Sequence, residues 1–110
     1  CLQWHGAAVL EAPAGAAVLA RSAVCPIQSI RVGRCAYGLQ YHVEATADTV
    51  PEWGSVPEYE ASLEATMGAG ALRRFEEAAA RNLPGLNAAA RILYDNFAGI
   101  VRTSAAERTP

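Results

Sequence analysis

Up to about residue 45, short apolar runs alternate with turn residues, and this pattern predicts β-strands. Proline and glycine mark residues 11–15 as a loop. Gly33 and Arg34 lie between two apolar runs and predict a tight turn, and therefore a β-hairpin. We expect strands over residues 2–5, 17–21, 27–32 and 35–44, with Pro26 interrupting the chain before the third.

From residue 45 onward the apolar spacing becomes helical. Ser55 and Glu58 have the spacing of a capping box, so a first helix is expected to begin there and to run to about residue 66, with Gly68 as its stop. A second helix is predicted over residues 70–82. Pro84 then predicts a break before a third helix over residues 86–102, and the polar tail 103–110 is expected to fray.

The 110 residues are 52% hydrophobic and 18% charged, with a formal net charge of −2. These values predict one domain or part of one over residues 1–110, with a strand-rich part at 1–44, a helical part at 45–102 and a tail at 103–110. The apolar fraction argues against disorder, and the charge argues against nucleic-acid binding. No apolar run reaches the roughly 18 residues of a membrane span, so we predict a cytoplasmic protein that does not bind membranes.

The first residue and the cysteines bear on the chemistry. The chain begins at Cys1 and its only methionine is Met67, so we expect either that a leading segment was removed or that this is the back portion of a longer protein. Cys1, Cys25 and Cys35 form no CxxC pair and are odd in number, which predicts free, reduced thiols. A terminal cysteine can also act as a nucleophile with its own amine as base, and Cys1 is a candidate for that role.

The strongest chemical pattern is a histidine and a glutamate two residues apart in the predicted strand 35–44. Side chains alternate along a strand, so Gln40, His42 and Glu44 are expected on one face, and residues 37, 39, 41 and 43 on the other, buried face. A carboxylate at this spacing can accept a hydrogen bond from one imidazole nitrogen and leave the other as a proton acceptor. His42 and Glu44 would then be the base and the orienting acid of a triad.

A family resemblance strengthens this hypothesis. The string GLQYHVE at residues 38–44 resembles the G-x-Q-F-H-x-E signature of class I glutamine amidotransferases, and QWHG at residues 3–6 resembles their W-H-G-D segment. Further matches follow in the family's order at residues 13–16, 18–22, 26–28, 31–33, 53, 57–59 and 96–97. The resemblance covers nearly the whole chain, but only the C-terminal half of the family's domain.

The resemblance implies a fold and a reaction. The fold class is α/β, with this chain as the C-terminal half of a flavodoxin-like domain: strands and a hairpin, followed by three helices. In the family a cysteine attacks the glutamine side-chain amide, a thioester forms, ammonia leaves and water releases glutamate. Carried over, His42 is the general acid and base and Glu44 its orienter. The substrate is glutamine or another γ-glutamyl compound, and no metal or organic cofactor is implied.

The departures from the family's pattern indicate which parts of the active site this chain lacks. The nucleophile elbow G-x-C-x-G is absent, so the cysteine is expected in a missing N-terminal half, and the partner is that half or a synthetase. Ala7 replaces the acid that follows the W-H-G residues, and Val43 replaces a frequent proline. His5 is expected to be a structural histidine rather than a catalytic one. Without its other half, the chain is expected to expose an apolar sheet and to self-associate.

Two alternatives remain open beside the fragment of an amidotransferase. One is a catalytically silent scaffold or interaction domain that keeps the family's fold, and the missing elbow and Ala7 favour it. The other is a hydrolase that uses Cys1 as its terminal nucleophile. The sequence preceding Cys1 distinguishes the first two, because an elbow cysteine there indicates an enzyme.

Overall fold

In the computed structural model, which describes residues 1–106, a three-stranded antiparallel sheet is followed by three helices, so this part of the chain is a mixed α/β structure. The strands are β1 (Ala17–Ala20), β2 (Ser29–Val32) and β3 (Ala36–Leu39). The helices are α1 (Thr49–Gly54), α2 (Pro57–Met67) and α3 (Ala71–Ala106). Within the described residues, no helix has both the length and the apolar character needed to cross a membrane.

The predicted hairpin is confirmed. Strand β2 lies between β1 and β3 and is antiparallel to both, and Arg31 is paired with Tyr37 across the hairpin. Gly33 has a φ of 59°, a left-handed conformation that glycine adopts without steric cost, and this allows the tight turn. Gly33, which predicted the turn from the sequence, is therefore also the residue whose backbone conformation forms it.

All four predicted strands are shorter in the structure, and two of them differ most from the prediction. The strand expected over residues 2–5 is reduced to a single bridge between Leu2 and His42, and the strand expected over 35–44 ends at Leu39. The hairpin register extended past Gln40 would bring Pro26 opposite His42, and proline has no N–H to continue the ladder. His42 and Glu44 therefore follow the sheet in a bend instead of lying on one strand face. The face predicted to be buried is also not buried, since Leu39 is 45% exposed.

The first predicted helix has the right end but the wrong beginning. Gly68 follows α2 with a φ of 82°, which confirms the predicted stop. Ser55 does not cap this helix, because Val56 occupies the cap position and the Ser55 hydroxyl donates to the Glu52 carbonyl at 2.7 Å. Ser55 closes the six-residue helix α1, which the sequence analysis did not predict.

The break predicted at residues 83–85 is wrong, because α3 continues through Pro84 as a single helix of 36 residues. A proline inside a helix costs about 3 kcal/mol, since it removes a hydrogen bond and crowds the preceding turn. An unbroken α3 offsets this cost, because it keeps Phe75, Ala79 and Leu86 on one side of the helix, where all three pack against the core. The helix also includes residues 103–106, which were expected to fray, whereas residues 107–110 lie outside the described part.

The core joins the N-terminal segment to the helices. Leu2, Ala45 and Val50 are buried at its centre, and the partly buried residues around them are Trp4, Trp53, Leu72, Phe75, Ala79 and Leu86. Helices α1 and α3 approach so closely that a Cβ atom on Gly54 would lie 2.6 Å from Leu72 Cδ1. Packing therefore favours glycine at position 54, because any larger residue would have to displace the Leu72 side chain.

We expect Gly54→Ala to lower the free energy of unfolding by about 1–3 kcal/mol, because the new methyl group must displace Leu72 in a packed core. Gly85→Ala is the matched control: it lies inside α3, and a Cβ there meets no atom within 4 Å. That change should leave stability unchanged or raise it by up to about 1 kcal/mol through helix propensity. Urea denaturation of both variants makes the comparison, and equal stabilities would contradict the packing argument.

The exposed apolar side chains of the sheet predict self-association. Leu19 in β1 is 52% exposed and Leu39 in β3 is 45% exposed, and both strands are edge strands within the described residues. Light scattering at micromolar concentration should give a mass above the 11.6 kDa of one chain. Replacing Leu19 and Leu39 together by Ser should reduce that mass, whereas Leu10→Ser, at an 85% exposed position outside the sheet, should not. A monomer at this concentration would refute the expectation.

Candidate active site

The predicted histidine and glutamate are in direct contact. His42 Nδ1 lies 2.7 Å from Glu44 Oε1, and the other carboxylate oxygen, Oε2, accepts a hydrogen bond from the backbone N–H of Val43 at 2.9 Å. The contact forms across a bend after β3, where the chain turns the two side chains toward each other. The pairing expected from the sequence is present, although a bend produces it and strand alternation does not.

This contact fixes the tautomer of the imidazole. An ionised carboxylate can only accept hydrogen bonds, so the hydrogen between the two groups must be on Nδ1. In the neutral ring Nε2 then carries a lone pair and is the basic nitrogen. The His42 side chain is 29% exposed, so its ring is partly shielded from water but still accessible to a reactant.

The same contact affects the acid. The pKa of Glu44 is lowered, first by the hydrogen bond from His42 and then by the backbone N–H of Glu44 itself, with a smaller contribution from Val43. Partial burial opposes this shift by disfavouring the charged form. Glu44 therefore stays ionised at neutral pH and below it, and it remains available as the acceptor that orients His42.

Two further contacts hold the imidazole in place. The backbone N–H of His42 donates to the Leu2 carbonyl at 2.8 Å, which ties the bend to the buried N-terminal segment. The imidazole also packs edge-to-face on Trp53 of α1, with 4.6 Å between ring centroids. His42 is thus held through its backbone, through Nδ1 and through its ring.

His42 borders an open cleft of about 890 Å³ between the N-terminal segment and helices α1 and α2. Its larger side chains are Trp4, His5, Trp53, Tyr59 and Met67. Among the described residues that line it there is no Arg, Asp or Glu. The cleft therefore combines the basic Nε2 of His42 with aromatic and apolar side chains and with other polar ones, those of Gln3, His5, Ser62 and Thr66.

His5 belongs to this cleft, but it has no contact with His42 of the kind that Glu44 makes. Its Nδ1 donates to the Ala7 carbonyl at 2.7 Å, so the ring stabilises its own loop, in line with the structural role expected for it. Ala7, which replaces the acid of the W-H-G-D segment, lines the cleft with a methyl group and contributes its carbonyl as an acceptor.

Gln40 has a role that the sequence analysis missed. It was expected to share a face with His42 and Glu44, but its amide instead donates to the Ala7 carbonyl at 3.0 Å and its Oε1 accepts from the Val9 N–H at 3.1 Å. These bonds fasten the loop that forms one wall of the cleft. Its place in the motif two residues before His42 was a signal of importance, but spacing along one strand could not show a contact with a loop more than 30 residues earlier.

The three cysteines are free thiols, and none of them lines the cleft in the described part of the chain. Cys25 is buried, and its Sγ donates to the Ile27 carbonyl at 3.4 Å and to Gln40 Oε1 at 3.7 Å. Cys35 is exposed and contacts the Ser104 hydroxyl of α3, with 3.2 Å between sulfur and oxygen. Cys1 is exposed. Residues 1–106 contain no group of three or more His, Cys, Asp or Glu side chains that could hold a metal ion.

A comparison of the chain with protein-family models, with curated proteins and with solved structures finds no match. The features of the chain that bear on function are therefore the paired residues, the cleft beside them and the motifs that contain them. Of these, the contact between His42 and Glu44 is the most specific, because it fixes one protonation pattern of one ring.

The Glu44 carboxyl should titrate below the usual range of a glutamate, and His42→Ala should raise its pKa toward that range, because the largest lowering contribution is the bond from the ring. Because the folded-state pKa is lowered, the small stabilisation from this contact is present above the unfolded-state pKa and is lost as pH falls through the folded-state value. Carbon-detected NMR titration of Glu44 measures the shift.

His5→Ala is the control for this titration, since His5 bonds to Ala7 and not to Glu44. It removes an imidazole from the same cleft and should leave the pKa of Glu44 unchanged. An unaltered Glu44 titration in His42→Ala would show that the contact does not persist in solution.

Proposed function

We propose that this chain supplies the base and the orienting acid for hydrolysis of the glutamine side-chain amide through a Cys-His-Glu triad. The observation that carries the proposal is the 2.7 Å bond between His42 Nδ1 and Glu44, which leaves Nε2 as the basic nitrogen. The resemblance of residues 38–44 to the class I glutamine amidotransferase signature supports it. In this proposal the nucleophilic cysteine is in an N-terminal half that precedes Cys1.

The proposed chemistry uses His42 twice. Nε2 takes the proton of the cysteine thiol as the sulfur attacks the amide carbon, and then gives it to the leaving nitrogen as the C–N bond breaks. Ammonia departs and a γ-glutamyl thioester remains. Nε2 next takes a proton from water as the water oxygen attacks the thioester, and the proton returns to sulfur as the C–S bond breaks. The carboxylate of Glu44 stabilises the imidazolium in each half of the cycle.

The proposal includes the fold. The antiparallel sheet and the three helices would be the C-terminal half of a flavodoxin-like domain, and the other half would contribute strands to the same domain. The half-exposed Leu19 and Leu39 of the sheet support this, because apolar side chains of this size are stabilised when a neighbouring element covers them.

The test is glutamine hydrolysis by the protein that contains the preceding segment. His42→Ala should reduce kcat by at least about 10²–10⁴-fold, the usual contribution of general acid and base catalysis. Glu44→Gln should leave partial activity, since Glu44 orients the ring without transferring the proton. Glu77→Gln, which alters an exposed carboxylate paired with Arg73 on α3, is the matched control and should keep full activity. Normal hydrolysis by His42→Ala would overturn the proposal.

A catalytically silent scaffold is the second candidate, and one observation favours it: none of the cysteines present lines the cleft in the described part of the chain. The sequence upstream of Cys1 separates the two, since an elbow cysteine there supports the enzyme. Alkylation mapping tests the third idea, that Cys1 is itself the nucleophile. Labelling of Cys1 alone, with loss of glutamine hydrolysis, would support that role.

A further inference from the structure

The cleft beside His42 is larger than the departure of ammonia requires. Its volume of about 890 Å³ falls within the range of about 300–1,000 Å³ that is typical of sites for organic ligands. Ammonia is a single heavy atom and needs only a small fraction of that space. The extra space adjoins the residue that would protonate the leaving nitrogen, so a substituent on that nitrogen would extend into it.

The aromatic side chains of the cleft are held in a fixed arrangement. Trp4 packs edge-to-face against Trp53 at 5.9 Å between ring centroids and contacts Tyr59 at 6.5 Å. Phe75, on α3, supports Trp4 with a centroid distance of 5.3 Å. Because these rings pack on one another, they form a prearranged apolar surface, and a ligand bound there would not have to order it.

The charge of the lining indicates which part of a substrate would lie there. Among the described residues that line the cleft, none is Arg, Asp or Glu, and the polar side chains are those of Gln3, His5, His42, Ser62 and Thr66. The α-ammonium and α-carboxylate groups of a glutamyl unit require charged or strongly polar partners when they leave water. The part of the lining formed by Trp4, Trp53 and Tyr59 therefore suits an uncharged, apolar group, and it offers no charged partner to the amino-acid end of the substrate.

We propose that the cleft binds the amine portion of an N-substituted γ-glutamyl amide whose substituent is apolar and of aromatic size. This inference rests on the proposed function and names its substrate class. The γ-glutamyl carbonyl would face the nucleophile outside the cleft, and the substituent on the amide nitrogen would extend along Trp4, Trp53 and Tyr59.

The reaction then releases an amine in place of ammonia. The thiol sulfur bonds to the γ-carbon, the C–N bond breaks, and the proton that His42 took from the thiol passes to the nitrogen. The products of this step are a γ-glutamyl thioester and the neutral primary amine, and water completes the hydrolysis to glutamate. No oxidant, reductant or metal takes part in this sequence.

Binding to the 110-residue chain tests the inference directly. Trp4 and Trp53 are the two tryptophans of the chain and both line the cleft, so their indole N–H signals in NMR report on binding at this site. γ-Glutamyl anilide should shift both signals and should bind at least about tenfold more tightly than glutamine, because its ring removes apolar surface from water. Equal affinity for the two compounds, or tighter binding of glutamine, would overturn the inference.

Tyr59→Ser and Tyr94→Ser form a matched pair of variants. Tyr59 is 53% exposed and lines the cleft, whereas Tyr94 is 66% exposed on α3 and is not among the residues that line it. Neither change empties the core, so both variants should fold. Tyr59→Ser should weaken anilide binding several-fold, and Tyr94→Ser should not alter it. An unchanged anilide affinity in Tyr59→Ser would contradict the assignment of this wall.

Hydrolysis by the longer protein separates the inference from the function on which it rests. Faster turnover of the anilide than of glutamine, abolished by His42→Ala, would support both. Hydrolysis of glutamine with no preference for the anilide would overturn the substrate class and leave the amidotransferase proposal intact. Hydrolysis of neither compound by a protein that holds an elbow cysteine would overturn both.

Discussion

The backbone hydrogen bond between the His42 N–H and the Leu2 carbonyl determines much of this structure. It joins the bend after β3 to the N-terminal segment, and the burial of Leu2 among Ala45 and Val50 fixes that segment to the core. The wall of the cleft that contains Trp4 and the base that borders it are therefore brought together by one short bridge. The bond from Glu44 then only has to orient a ring whose position is already set.

The local features of the fold could be predicted because local chemistry determines them. Gly33 and Gly68 both adopt positive φ, a conformation that glycine reaches without steric cost. Gly33 therefore predicts the hairpin turn and Gly68 predicts the end of α2. The end of β3 could not be predicted in this way, because it depends on Pro26 in the segment that precedes the neighbouring strand β2. The break expected at Pro84 failed for a similar reason, since packing of residues on both sides of it outweighs a local penalty.

For the candidate site too, local contacts could be predicted from the sequence and distant ones could not. The spacing of His42 and Glu44 predicted their pairing, and they are 2.7 Å apart, but the bend that joins them was not expected. The aromatic wall could not be found from spacing, because Trp4 is far in sequence from Trp53 and Tyr59 and meets them only when α1 and α2 fold against the N-terminal segment. The pairing of two neighbouring residues could therefore be predicted from the sequence, whereas the shape of the cleft beside them could not.

The continuity of α3 has a mechanical consequence. Near one end of this rod Phe75 supports Trp4 behind the cleft, and toward the other Phe97 packs edge-to-face on Tyr37 of the hairpin, with 6.2 Å between centroids. A break at Pro84 would let those two contacts move independently. Because α3 is continuous, both contacts lie on one stiff element, and the hairpin is therefore coupled through α3 to the aromatic side chains behind the cleft.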